Sequence, residues 1–101
     1  MNKRHKDFYI YLMESLQNPK LARAYLNEAL ADEDQRVFLI ALKNVLEAQG
    51  GDMSSLAEEA QLSRQNLYRM FSQKGNPRWD NLKVVLHSLG LELEVKSYKP
   101  R

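Results

Sequence analysis

The sequence predicts a mainly α protein of five to six helices, built around a helix-turn-helix, with a single C-terminal β-strand paired across a dimer. Three observations predict it. Apolar residues recur at three- and four-residue spacing through most of the 101 residues, the period of one helix face. Caps and breakers at Asn18-Pro19, Gly50-Gly51, Ser63, Gly75-Asn76-Pro77 and Gly90 cut that pattern into short pieces. After Gly90 the period becomes two, with Leu91, Leu93 and Val95 alternating with Glu92, Glu94 and Lys96.

A first helix is expected over residues 7–16, with Phe8, Tyr11, Leu12 and Ser15 sharing a face. Asn18 caps a second, and Pro19 takes its first position, where no amide donor is needed. Ala22, Tyr25, Leu26, Ala29 and Leu30 carry that helix to residue 31. Asp32, Glu33 and Asp34 then offer a cap and favourable charge to a third helix. Its buried stripe is Val37, Phe38, Ala41, Leu42, Val45 and Leu46, and Gly50-Gly51 closes it. Asp52 or Ser54 caps a short fourth helix. Its inward residues are Leu56, Ala57 and Ala60, small enough at two positions for a crossing helix to approach. Gln61-Leu62 forms the turn, with Leu62 buried beneath it. Ser63 caps the fifth helix, which Leu67, Met70 and Phe71 anchor. Trp79, Leu82, Val85, Leu86 and Leu89 mark a sixth. The strand over residues 91–96 has no second strand to pair with. Leu91, Leu93 and Val95 are therefore expected to form a dimer contact with a second copy. The expected division is an N-terminal helical segment (1–31), a helix-turn-helix domain with its strand (32–96) and a tail (97–101).

Length and composition narrow the function classes. One domain is expected from 101 residues, and 44% apolar with 28% charged residues is ordinary for a folded chain. No apolar run is long enough for a membrane span. The absence of cysteine excludes disulfides and thiolate sites, and a cytoplasmic location is the simplest expectation. His5 and His87 stand apart, so no metal cluster is expected, and no nucleophile, base and pocket coincide. The expectation is a protein with no cofactor and no enzymatic activity. Charge is unevenly spread: residues 1–60 carry seven Lys or Arg against ten Asp or Glu, and residues 61–101 carry eight against three. That basic half surrounds the fifth helix, the footprint that phosphate binding requires.

The chemistry concentrates on that helix. Arg64, Gln65, Asn66 and Tyr68 occupy its outer side, where a reading helix would meet base edges in a major groove. Ser54, Ser55, Ser63, Arg69, Lys74, Asn76 and Arg78 are the candidate phosphate contacts around it. A solvated helix face also needs polar residues, but a cation at the start of a helix opposes the dipole, so Arg64 is not explained by helix stability. Double-stranded DNA is the expected partner.

One linked set of motifs is specific: Leu56-Ala57, Leu62-Ser63-Arg64, Leu67-Tyr68-Arg69, Gly75-Asn76-Pro77 and Leu89-Gly90-Leu91. With them, residues 53–95 resemble the HigA-like, or addiction-module antidote, group of the Cro/C1-type (Xre-like) helix-turn-helix superfamily. Residues 24–50 resemble it as well. The resemblance implies an antitoxin that binds its own operon's promoter as a homodimer and neutralises a small RelE/ParE-like toxin. Two residues depart from the family's pattern: Gln61 stands where glycine is common, and Trp79 where a smaller or aliphatic residue is usual. The acids and aromatics of the first two helices suit a cationic RNA-binding toxin, which makes Tyr9, Tyr11, Glu14, Tyr25, Glu28, Asp32 and Asp34 the candidate toxin contacts. A stand-alone regulator without a toxin and a protein-interaction adaptor are the alternative readings.

Overall fold

In the computed structural model, which describes residues 3–72 and 74–99, six helices follow one another: α1 (Lys3–Leu16), α2 (Pro19–Leu30), α3 (Gln35–Ala48), α4 (Met53–Glu59), α5 (Arg64–Met70) and α6 (Trp79–Ser88). Their starts are chemically defined. Asn18 accepts from the amides of Lys20 and Leu21, Asp34 from that of Arg36, Asp52 from those of Ser54 and Ser55, and Ser63 from that of Asn66. Each side chain satisfies amides that have no partner inside their helix. Gly50 and Gly90 end α3 and α6 at φ +72° and +75°, a conformation glycine adopts without steric cost.

The core is one cluster. Leu16 of α1 and Ala22, Leu26 and Ala29 of α2 meet Phe38, Ala41, Leu42, Val45 and Leu46 of α3. Ala48 of α3, Leu56 and Ala57 of α4, Leu67, Met70 and Phe71 at α5, and Val85 and Leu86 of α6 complete it. Inside α2 and α3 the expected inward residues are buried, except that Tyr25 is half-buried, Leu30 is 47% and Val37 37% exposed. The Tyr25 hydroxyl, at the edge of this cluster, accepts from Asn44 Nδ2 at 2.9 Å and ties α2 to α3.

Two expectations need correction. The C-terminal strand is absent: residues 91–99 form neither helix nor strand, and the described residues are all-helical in their regular structure. Alternation supplies a two-faced surface, but a strand exists only with a ladder partner. Instead the Leu91 amide donates to the Leu86 carbonyl at 2.9 Å, turning the segment back over α6. Leu91 and Leu93 then border a groove of about 580 Å³ with Leu26, Leu30, Phe38 and Leu86, while Val95 is 97% exposed. The strand-mediated dimer contact of Leu91, Leu93 and Val95 goes with the strand. The second correction concerns α1, which begins at Lys3 and turns a different face inward. Leu12, Met13 and Leu16 pack on the core, and the Tyr9 hydroxyl donates to Glu47 at 2.7 Å. Phe8 and Tyr11, expected on the inner face, are 64% and 67% exposed.

The connection between α4 and α5 is tight. Leu62 donates its amide to the Ala57 carbonyl at 2.9 Å, and Gln61 takes φ 58° to allow it. Among the described residues Gln61 is the only non-glycine in this left-handed region, which costs a residue with a Cβ about 1–2 kcal/mol. Gln61→Gly is expected to raise stability by about 0.5–1 kcal/mol after the extra unfolded-chain entropy of glycine is subtracted. A urea unfolding midpoint shifted upward at unchanged slope is the readout.

Candidate nucleic-acid interface

α5 has two unlike sides. Leu67 is fully buried, Met70 is 5% and Phe71 7% exposed, and these three seat the helix on Leu56 and Ala57 of α4 and on α6 through the shared core. Arg64, Gln65, Asn66 and Arg69 are exposed, and Tyr68 is 45% exposed. Spacing explains the split: positions 67, 70 and 71 fall on one face, and the polar positions on the other. Ser63 Oγ accepts from the Asn66 amide at 3.0 Å, fixing the first turn, so the polar side chains project from a rigid start.

The loop after α5 is held against it. Gly75 is buried, its amide donates to the Ser72 carbonyl at 2.9 Å, and a Cβ at that position would overlap the carbonyl oxygens of Met70 and Arg69. Only glycine lets the backbone approach so closely. The consequence is positional: exposed Lys74 and Asn76 flank a glycine lying against the end of α5, while exposed Arg78 stands at the start of α6. Among the described residues Arg64, Arg69 and Lys74 form no ion pair, whereas Arg78 is engaged with Asp80 at 3.2 Å.

The start of α4 is less open than the sequence suggests. Asp52 Oδ1 accepts from the Ser54 amide at 3.0 Å and the Ser55 amide at 3.3 Å, and Ser55 Oγ donates to Asp52 Oδ2 at 2.9 Å. At Ser54 and Ser55, expected as phosphate contacts, the amides and the Ser55 hydroxyl are thus already satisfied by a carboxylate. The Ser55 hydroxyl chiefly, then these amides, hold the Asp52 carboxyl below the usual range, and the positive charge of Arg64 adds to the effect. Asp34, through the Arg36 side chain, and Asp80, through Arg78, are lowered too. Groups lowered on folding stabilise the native state above their unfolded pKa, and lose that contribution as pH falls through the folded value. Stability is therefore expected to hold at neutral pH and to decline from about pH 4 downward. Asp52→Asn should blunt the decline, as read by thermal melts across a pH series.

The other expected contacts are distributed differently. Tyr9 is committed to Glu47, Tyr25 to Asn44, and Asp34 to capping α3 and pairing with Arg36. Asp32 Oδ1 accepts from the Asp34 amide at 2.8 Å. Tyr11, Glu14 and Glu28 are exposed. The structure adds exposed Ile10 and Trp79, at 46% and 61%. For α1 a signal existed in the sequence: Phe8, Tyr9, Ile10 and Tyr11 are consecutive, and four consecutive helical residues cannot share one face. No group of three metal-ligating side chains occurs among the described residues, and no helix there is long and apolar enough to cross a membrane.

Comparison with known proteins adds what geometry cannot. The family described as "Probable addiction module antidote protein" matches residues 6–97. An uncharacterized protein of Haemophilus influenzae is 32% identical over 96 residues, covering 95% of this chain and 95% of that protein. No solved structure matches the chain.

Proposed function

The chain belongs to the addiction module antidote family, and from that premise we propose that it is a homodimeric antitoxin of the helix-turn-helix kind that also represses its own operon. In this reading α4 and α5 are the helix-turn-helix, and α5 enters the major groove of operator DNA. Gln65 and Asn66 are suited to bidentate bonds with adenine and Arg64 to guanine, while Tyr68 covers a thymine methyl. Arg69, Lys74 and Asn76 hold phosphates on either side, with the Ser54 hydroxyl. Arg78 joins them once it leaves Asp80. Occupancy of the promoter blocks the polymerase. The observation that carries the reading is the construction of α5: seven residues pinned by buried Leu67 and Met70, with exposed Arg64 and Arg69 in no ion pair among the described residues.

Neutralisation of the toxin, a RelE/ParE-like protein in this reading, uses a different surface. Tyr9, Tyr25 and Asp34 serve the fold, so we place the contact on the outer side of α2 and the turn after it. There Leu21 is 49% exposed and Glu28 and Asp32 are also exposed. The test is an electrophoretic shift with the DNA upstream of this chain's own gene, beside capture of the adjacent gene's product. A shift that outlasts excess nonspecific DNA and weakens steeply with salt is expected. No preference for the upstream DNA would overturn the repressor half, and no complex with the adjacent product the antitoxin half.

A further inference from the structure

The outer surface of α1 is used by neither the core nor α5. Phe8 is 64%, Ile10 46% and Tyr11 67% exposed. Scattered exposed apolar residues need no explanation, but Phe8 and Tyr11 lie three positions apart on one face and form an aromatic patch that favours burial, with Ile10 on the stripe beside it. Helical spacing arranges this surface in two stripes, Arg4, Phe8, Tyr11 and Ser15 beside Lys3, Asp7, Ile10 and Glu14. The charges run against the helix dipole. Lys3, Arg4 and Lys6 crowd the N-terminal turn, which holds no acid, and the last turn holds no base. Such an arrangement is unfavourable for α1 standing alone.

We propose that α1 pairs antiparallel with α1 of a second copy about a two-fold axis, Phe8 of each copy lying against Tyr11 of the other. Antiparallel pairing turns each disadvantage of the isolated helix into a contact. The aromatic centres cover one another, since the axis falls between residues 8 and 11. The cations Lys3 and Arg4 arrive beside the exposed carboxylate of Glu14 in the last turn of the opposite α1, where positive charge is favoured. A contact made by the same patch on both subunits is the isologous kind that closes as a dimer. A parallel arrangement would set the basic turns against each other. Aromatic side chains bury about 150–250 Å² each when fully covered. The patch therefore makes a small interface by the standard of about 1,200–2,000 Å² for stable complexes, and the dimer should be concentration-dependent. This inference rests on the homodimer of the proposed function and supplies the contact that the absent strand does not.

The test is sedimentation and light scattering of the full chain, without DNA, over a wide concentration series. The native chain should move from monomer to dimer. Phe8→Ser combined with Tyr11→Ser should raise the dissociation constant about tenfold or more, with an unchanged helical circular dichroism spectrum. Arg4→Glu should weaken the dimer, and Arg4→Glu combined with Glu14→Arg should restore it, which only an antiparallel register predicts. A chain that stays monomeric, a dimer indifferent to the two aromatic substitutions, or a charge exchange that fails to restore association overturns the proposal. If the aromatic substitutions abolish capture of the adjacent gene's product and leave association unchanged, the patch belongs to that protein and the proposal also falls. An intact, α1-dependent dimer that ignores the upstream DNA supports this contact while counting against the repressor reading.

Discussion

Leu67→Ala is expected to remove about 2–5 kcal/mol of folding free energy, because the fully buried side chain lies where α5 joins the common core. For a domain of this size each kcal/mol lowers the midpoint by roughly 4–8 °C. The melting temperature should therefore fall by some ten degrees or more. Leu67→Met, which keeps the volume, should cost less than about 1.5 kcal/mol. Thermal and urea unfolding decide the matter. A drop of only a degree or two for the alanine variant would mean that α5 is not seated as described. The same substitution should weaken the proposed DNA binding, since it loosens the support beneath Arg64 and Gln65 without touching either.

Gln65→Ala should do the reverse. Its side chain is exposed and caps nothing, so stability should change by less than about 0.5 kcal/mol. Loss of the bidentate base contact proposed for it is worth about 1–3 kcal/mol, a drop in operator preference of roughly 5- to 150-fold. Arg69→Ala, at a proposed phosphate contact, should weaken operator and unrelated DNA alike and flatten the salt dependence. Titration of both variants against upstream and scrambled duplexes separates the two behaviours. Equal losses on both duplexes for Gln65→Ala would remove it from the reading set.

The helices and their caps were legible because local chemistry fixes them: Asn18, Asp34, Asp52 and Ser63 each sit one residue before a helix and bond its free amides. The inner face of α5 was legible for the same reason, since spacing alone separates Leu67 and Met70 from Gln65 and Asn66. Tertiary choices were not. The alternation of Leu91, Leu93 and Val95 describes a surface, and the Leu91 amide's bond to Leu86 turns its start back over α6, so that Leu91 and Leu93 border a groove with α2 and α3 instead of joining a ladder. The face of α1 failed because an apolar run offers two rotations, and only packing against Glu47 and the core selects one. The cap of α4 was legible as a position, but its cost to phosphate access was not. That cost follows from both oxygens of Asp52 being engaged, one by the Ser54 and Ser55 amides and the other by the Ser55 hydroxyl.

The tie between Tyr25 and Asn44, with Leu16, Ala22, Leu26 and Ala29 sharing one apolar cluster with α3, bears on how such a molecule is destroyed. Proteolytic trimming of the first two helices would strip the inner side of α3 of its cover, and the remnant would unravel instead of persisting as a shortened, working fragment. Degradation of this chain should therefore be all-or-none, with no stable intermediate left behind.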